Sequence, residues 1–238
     1  MKHIFHIVFV MSFLLLNGPT QAEESVKKAR WYQINLTFFQ QKPDSSLNEA
    51  FAFEELQLEM ADALQLHTDA QFTLATTGMN AVMALHHENS NGQAFIEQDI
   101  NDDWNQIIGK LDPVNQPILH NVQWVQPVYG DQHSLPVYFE SSVQTLGQPK
   151  LKGLIEIHVS RYLHSDFQLQ YIPKQARSLS ETISLRQKRR MRSKEIHYLD
   201  HPYVAALIRI IPVEHPLNKK LEEEAEKTEV NSVLNERI

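Results

Sequence analysis

Apolar residues in this chain recur mostly at every second position, the spacing of β-strands, and in one segment at helical spacing. Trp31 to Phe39 (WYQINLTFF) is rich in aromatic and β-branched residues and predicts a strand, closed by Pro43-Asp44-Ser45-Ser46. Ile118 to Gln126 predicts a second, ending at Pro127, and Leu135 to Phe139 a short edge strand. Over Leu151 to Leu163, Ile155, Ile157 and Val159 face one way and Glu156, His158 and Ser160 the other. His164-Ser165-Asp166 reads as a turn, after which Phe167, Leu169 and Tyr171 alternate back, predicting an antiparallel hairpin. Ile183 to Arg192 and Tyr203 to Ile211 complete the strands, with Pro212 and Pro216 ending ordered structure.

Residues 100–111 break the alternation. Ile100, Trp104, Ile107, Ile108 and Leu111 line one helical face suited to covering a sheet. Asn101 is the expected cap, Asp102 and Asp103 suit the helix dipole, and Asp112-Pro113 stops the helix. Leu47 to Ala63 has a looser helical pattern, and residues 65–98 are polar and irregular, with Thr76-Thr77-Gly78 and Asn89-Ser90-Asn91-Gly92 as loops. Together these elements predict an α+β fold, a mostly antiparallel sheet covered by one main helix. A ferredoxin-like topology fits that description, and the pattern leaves strand order open.

The N-terminus changes the setting. Lys2 precedes an apolar run from Ile4 to Leu16, then Asn17-Gly18-Pro19, then the small residues around Ala22. That pattern predicts a secretory signal peptide over residues 1–22, cleaved near Ala22. The run is too short for a membrane-spanning helix, so no stable membrane insertion is expected. The folded domain is expected over 23–215, and the charged residues 216–238 as a disordered tail or solvated helix. Cysteine is absent, which removes a disulfide framework, a thiol nucleophile and a lipidated cysteine. A signal without cysteine suits a soluble protein of the Gram-negative periplasm. The formal net charge of -7 argues against nucleic acid as a partner.

Against that acidic background, Arg186, Lys188, Arg189, Arg190, Arg192 and Lys194 fall within nine residues. On a strand, Arg186, Lys188, Arg190 and Arg192 share one face, a cationic stripe suited to carboxylate-bearing polymers. A solvated face that keeps the sheet soluble would have the same composition. Tyr162, Tyr198 and Tyr203 are candidates to stack on sugar rings or a partner, or to pack with their hydroxyls at a rim. His197 and His201 would share a metal on a helix, but Pro202 disfavours helix there, and a turn leading into the last strand is the simpler account. No metal or other cofactor is expected, and the separate local cluster His86-His87-Glu88, in an expected loop, adds nothing to change that. No nucleophile elbow or glycine-rich phosphate loop occurs, so catalysis is not expected.

Four blocks in order resemble the CsiV family of periplasmic peptidoglycan-binding proteins. They are Arg30 to Ile34; Ile118-Leu119-His120 with Trp124, Gln126 and Pro127; Gly153 through Arg161-Tyr162-Leu163-His164 to Tyr171; and Arg190 through His197-Tyr198-Leu199-Asp200-His201-Pro202. The last is the most specific. The resemblance implies peptidoglycan binding in support of cell-wall synthesis and cell shape. It also implies activation of a bifunctional penicillin-binding synthase together with an outer-membrane lipoprotein. It supplies no binding residues. The residues themselves offer Arg186, Lys188, Arg190, Arg192, Tyr162, His197, Tyr198 and His201 as the binding surface. The alternatives are an adaptor that touches only proteins, and a wall hydrolase or metalloenzyme resting on the His197/His201 pair.

Overall fold

The computed structural model describes residues 29–42, 58, 60–66, 94–216 and 218. The expected signal peptide, the loose helix at 47–63 for most of its length, both polar loops, His86-His87-Glu88 and nearly all of the tail lie outside the described residues. Within them, twelve strands form two five-stranded sheets and one small hairpin. The first sheet contains β11 (Ile196–Leu199), β12 (Val204–Val213), β1 (Arg30–Gln40), β4 (Ile118–Val128) and β3 (Ile96–Gln98), in that order. The second contains β10 (Ile183–Met191), β9 (Leu163–Tyr171), β8 (Leu151–Val159), β5 (Pro136–Glu140) and β2 (Leu64–Gln65). Every pairing is antiparallel except β2 with β5. Strands β6 (Gln144–Thr145) and β7 (Gln148–Pro149) make the hairpin, whose turn holds Leu146 and Gly147 at positive φ. Among the described residues no helix is long and apolar enough to cross a membrane.

The two sheets share one core. Ile34, Leu36 and Phe38 from β1 meet Val137 and Phe139 from β5, Ile155 and Ile157 from β8, and Phe167 and Leu169 from β9. Phe38 sits at the centre, stacked on Phe139 at 4.7 Å and edge-on to Phe167 at 6.1 Å between ring centroids. Inward and outward residues alternate strictly along β9, as a strand with one face on a core requires. The expected α+β arrangement is therefore wrong: the fold is a mostly-β sandwich, and what covers the sheet is a second sheet. Alternation shows which side of a strand is buried, but the same pattern arises whether a helix or another sheet lies there.

The helix exists, though shorter than its apolar face predicts. α1 spans Asp102–Ile108, and the Asn101 side chain accepts from the Trp104 N–H at 2.8 Å. It lies against the outer face of the first sheet, where β1 carries Asn35 and Thr37, both fully buried. A strand buried on both faces must satisfy its outward polar groups. Asn35 Nδ2 donates to Gln123 Oε1 at 2.6 Å, and Thr37 Oγ1 donates to Asn121 Oδ1 at 2.7 Å while accepting from Trp104 Nε1 at 2.9 Å. Arg209 covers the Trp104 ring and pairs with Asp103 at 2.6 Å.

Strand boundaries differ from expectation in four places. Pro127 and Pro212 were expected as stops, yet β4 and β12 run through them. β3 pairs with β4 only as far as Val125, and β11 with β12 only as far as Arg209. Each proline thus lies where its strand has a single neighbour, which is where a missing N–H is tolerated. The hairpin turn falls at residues 160–162, not at His164-Ser165-Asp166, which belong to β9. Residues Ile196 to Leu199 form a strand of their own, with the expected turn confined to the residues after it.

Candidate functional site

The cationic segment forms β10, the outermost strand of the second sheet. Its register sets Arg186 beside Gln168, Lys188 beside Asp166 and Arg190 beside His164 on β9. Alternation turns Arg186, Lys188 and Arg190 outward together, and all three are exposed. Two-residue steps along a strand put Arg186 and Arg190 ~13 Å apart. Lys188 is engaged within the protein: Nζ lies 2.7 Å from Asp166 Oδ2, and this bond raises its pKa. Arg192 lies beyond the strand, which ends at Met191, and its guanidinium reaches Glu195 at 3.6 Å within the following turn. The strand face therefore carries three of the four expected cations.

Tyr162 joins them from the β8–β9 turn. The Arg190 guanidinium lies over its ring at 4.8 Å, and Arg161 approaches the same ring at 5.6 Å. Tyr162 remains 41% exposed, so an aromatic side chain is accessible next to two cations. Arg161 did not figure among the expected site residues. Its signal was adjacency to Tyr162, which has meaning only once the turn is placed at 160–162.

The other expected residues lie elsewhere. His197 is on the facing edge strand β11, and its Nε2 accepts from the Arg192 N–H at 3.1 Å, closing the turn that carries the chain from one sheet to the other. Tyr198 pairs with Leu207 and shares the outer face of the first sheet with Arg209, so it projects from the opposite broad side of the sandwich to the stripe. Its hydroxyl accepts from Gln41 Nε2 at 2.6 Å and meets Asp200 Oδ1 at 3.2 Å; burial and Asp200 raise its pKa. His201 is buried, and its Nδ1 accepts from the Tyr203 N–H at 3.4 Å. Burial lowers its pKa, which favours a neutral imidazole packed near Tyr203. Tyr203 in turn packs near Tyr171 in the core. Among the described residues, groups of three or more metal-ligating side chains include neither His197 nor His201.

Beside the stripe, the sequence reading missed a second constellation. Placing His164 and Asp166 in β9 sets them opposite His158 and Glu156 of β8, all on the outer face. The His158 and His164 rings stack at 5.1 Å and 6°. Asp131, in the short 3-10 turn after β4, approaches His158 Nε2 at 3.8 Å. Alternation had already put Glu156 and His158 on one face; the mistaken turn hid His164 and Asp166, and Asp131 comes from a different connection that carries no sequence signal of the contact.

The fold and site define a class: a mostly-β sandwich whose free edge presents arginines against an exposed tyrosine. The chain belongs to the CsiV family, described as peptidoglycan-binding protein, whose family model matches residues 7–213. No curated protein and no solved structure matches it.

Proposed function

We propose that this protein binds peptidoglycan directly, through the outer edge of its second sheet. Arg186 and Arg190 take carboxylates of the peptide stems, and the Tyr162 ring packs on sugar or peptide. The observation that carries this reading is Tyr162, an exposed ring flanked by the Arg161 and Arg190 guanidinium groups on an edge strand. Membership of a peptidoglycan-binding family supports it. Individually weak contacts suffice, because a polymer presents many copies of the same group. The action is binding and not catalysis. It takes place in the periplasm after secretion through the N-terminal signal, and it serves to activate a bifunctional penicillin-binding synthase with an outer-membrane lipoprotein.

Co-sedimentation of the purified protein with protein-free sacculi over a salt series tests the binding step. The wild type pellets at low salt and progressively less as salt rises, since exposed charge contacts are screened. The double variant Arg186→Glu, Arg190→Glu, with an unchanged unfolding midpoint, loses roughly tenfold or more in affinity, the equivalent of at least one charge-assisted hydrogen bond. Unchanged pelleting by that variant rules out this surface. Failure of the wild type to pellet at low salt favours the adaptor reading instead.

A further inference from the structure

We infer that Asp131, Glu156 and His158 form a binding site for a divalent transition-metal cation on the outer face of the second sheet. Each offers one ligand atom, and the three atoms lie within 4.8 Å of one another, so modest side-chain rotation brings them onto one ion. Glu156 and His158 come from alternate positions of β8, a rigid interior strand. Asp131 comes from the short turn after β4.

Two independent features point to a cation there. The first is the state of His158. Only 12% of its side chain is exposed, yet among the described residues neither ring nitrogen has a hydrogen bond. Nδ1 is covered and has no partner, and Nε2 has Asp131 at 3.8 Å, beyond hydrogen-bond reach. A largely buried imidazole normally satisfies at least one nitrogen. The nitrogen that faces Asp131 is Nε2, which carries no hydrogen bond and is therefore open to a cation placed between the two side chains, and the ring lies stacked on His164.

The second feature is charge. Asp166 and Lys188 neutralise each other at 2.7 Å. Asp131 and Glu156 remain, both within electrostatic reach of Lys188 but bonded to no cation. Two carboxylates with no directly bonded Lys or Arg among the described residues match one divalent ion. Glu156 is also oriented, since the Ser134 hydroxyl donates to its Oε1. His164 is held from the far side by Ser160, whose hydroxyl lies 3.2 Å from its Nε2. Such outer contacts commonly position the ligands of a metal site.

The donor set selects among ions. One imidazole with two carboxylates favours zinc or a neighbouring first-row metal over magnesium or calcium, which gain little from a nitrogen ligand. Three protein ligands leave positions open to water or to an oxygen of a bound partner.

Isothermal titration of the purified full chain with Zn2+, and separately with Mg2+, tests this. Saturable binding of Zn2+ is expected, with Mg2+ at least about a hundredfold weaker. His158→Gln and Asp131→Asn each weaken Zn2+ binding at that site by about tenfold or more. Asp131 has a side chain 80% exposed, so Asp131→Asn should keep the wild-type unfolding midpoint and guards against a folding artefact. If the wild type shows no saturable zinc binding, or if Asp131→Asn binds zinc as the wild type does, the site does not exist.

Discussion

At the residue scale the chain sets polar groups inside apolar surroundings and leaves a few with a cost. His120 is the sharpest case. Its ring stacks on Phe139 at 5.5 Å, and Nε2 is covered without a partner. Burial pushes its pKa down from 6.5 to about 4, against a smaller opposing pull from Glu140. The folded imidazole therefore stays neutral where the unfolded one already takes a proton. As pH falls from about 6.5 towards 4, the unfolded chain binds more protons, and stability is lost across that window. The loss attributable to His120 reaches up to roughly 3 kcal/mol. His120→Phe preserves the stacked ring and removes the proton site. Urea midpoints at pH 7 and pH 4.5 should fall less in this variant than in the wild type. His201, also lowered by burial, works in the same direction and leaves a residual pH dependence in the variant. Equal falls in both proteins would show that His120 is solvated in solution.

At the element scale, how legible each strand was depended on what decides its ends. Trp31 to Phe39 and Ile183 to Arg192 declared themselves through composition and alternation, and the observed strands, Arg30–Gln40 and Ile183–Met191, stand within a residue of them at each end. The helix declared itself through its apolar face, and its start through the cap, because Asn101, Asp102 and Asp103 act locally. Ends fixed by neighbours did not. Whether Pro127 stops a strand depends on how far β3 extends beside it, and β3 is three residues long with no pattern of its own. The β8–β9 turn uses Ser160, Arg161 and Tyr162, none of which marks a turn strongly, whereas His164-Ser165-Asp166 looks like one and is not. That four-residue offset separated His164 from His158 and so concealed the stacked pair beside the carboxylates. The candidate cations were legible as a stripe, but their partners, Asp166 for Lys188 and Tyr162 for Arg190, follow from register alone. Register also explains Gly153 on β8, set beside Leu169 on β9. A Cβ there would collide with the Gln168 carbonyl oxygen and come within 2.8 Å of Leu169 Cδ2. Gly153→Ala should cost about 1–3 kcal/mol, because backbone of the paired strand must move. Thermal unfolding measures it; an unchanged midpoint would mean that the β8–β9 ladder is looser than its register implies.

At the scale of the whole molecule the question is whether the sandwich folds as one unit. Arrangement favours it. The chain crosses repeatedly between the sheets, and the last crossing, from β10 to β11, takes only four residues. It is pinned by the Lys194 N–H bonded to the Ile210 carbonyl at 2.8 Å, with Lys194 at a φ of 71°. No disulfide can tie the sheets, since cysteine is absent, so the shared apolar layer must hold them. Phe38 is the residue on which that layer converges, fully buried and in ring contact with both β5 and β9. Phe38→Ala should remove about 3–5 kcal/mol. The test of unity is in the shape of unfolding as well as its midpoint. All three tryptophans, Trp31, Trp104 and Trp124, sit on or against the first sheet, so their fluorescence reports that sheet, while far-ultraviolet circular dichroism reports both. In wild type the two probes should trace one transition, as a cooperative domain requires. In Phe38→Ala they should still coincide, shifted together to lower denaturant. Separation of the two curves in the wild type would show two independently melting sheets. The cationic edge would then be held by the second sheet alone, whereas the carboxylate–imidazole cluster, which takes Asp131 from the turn after β4, would need both sheets folded.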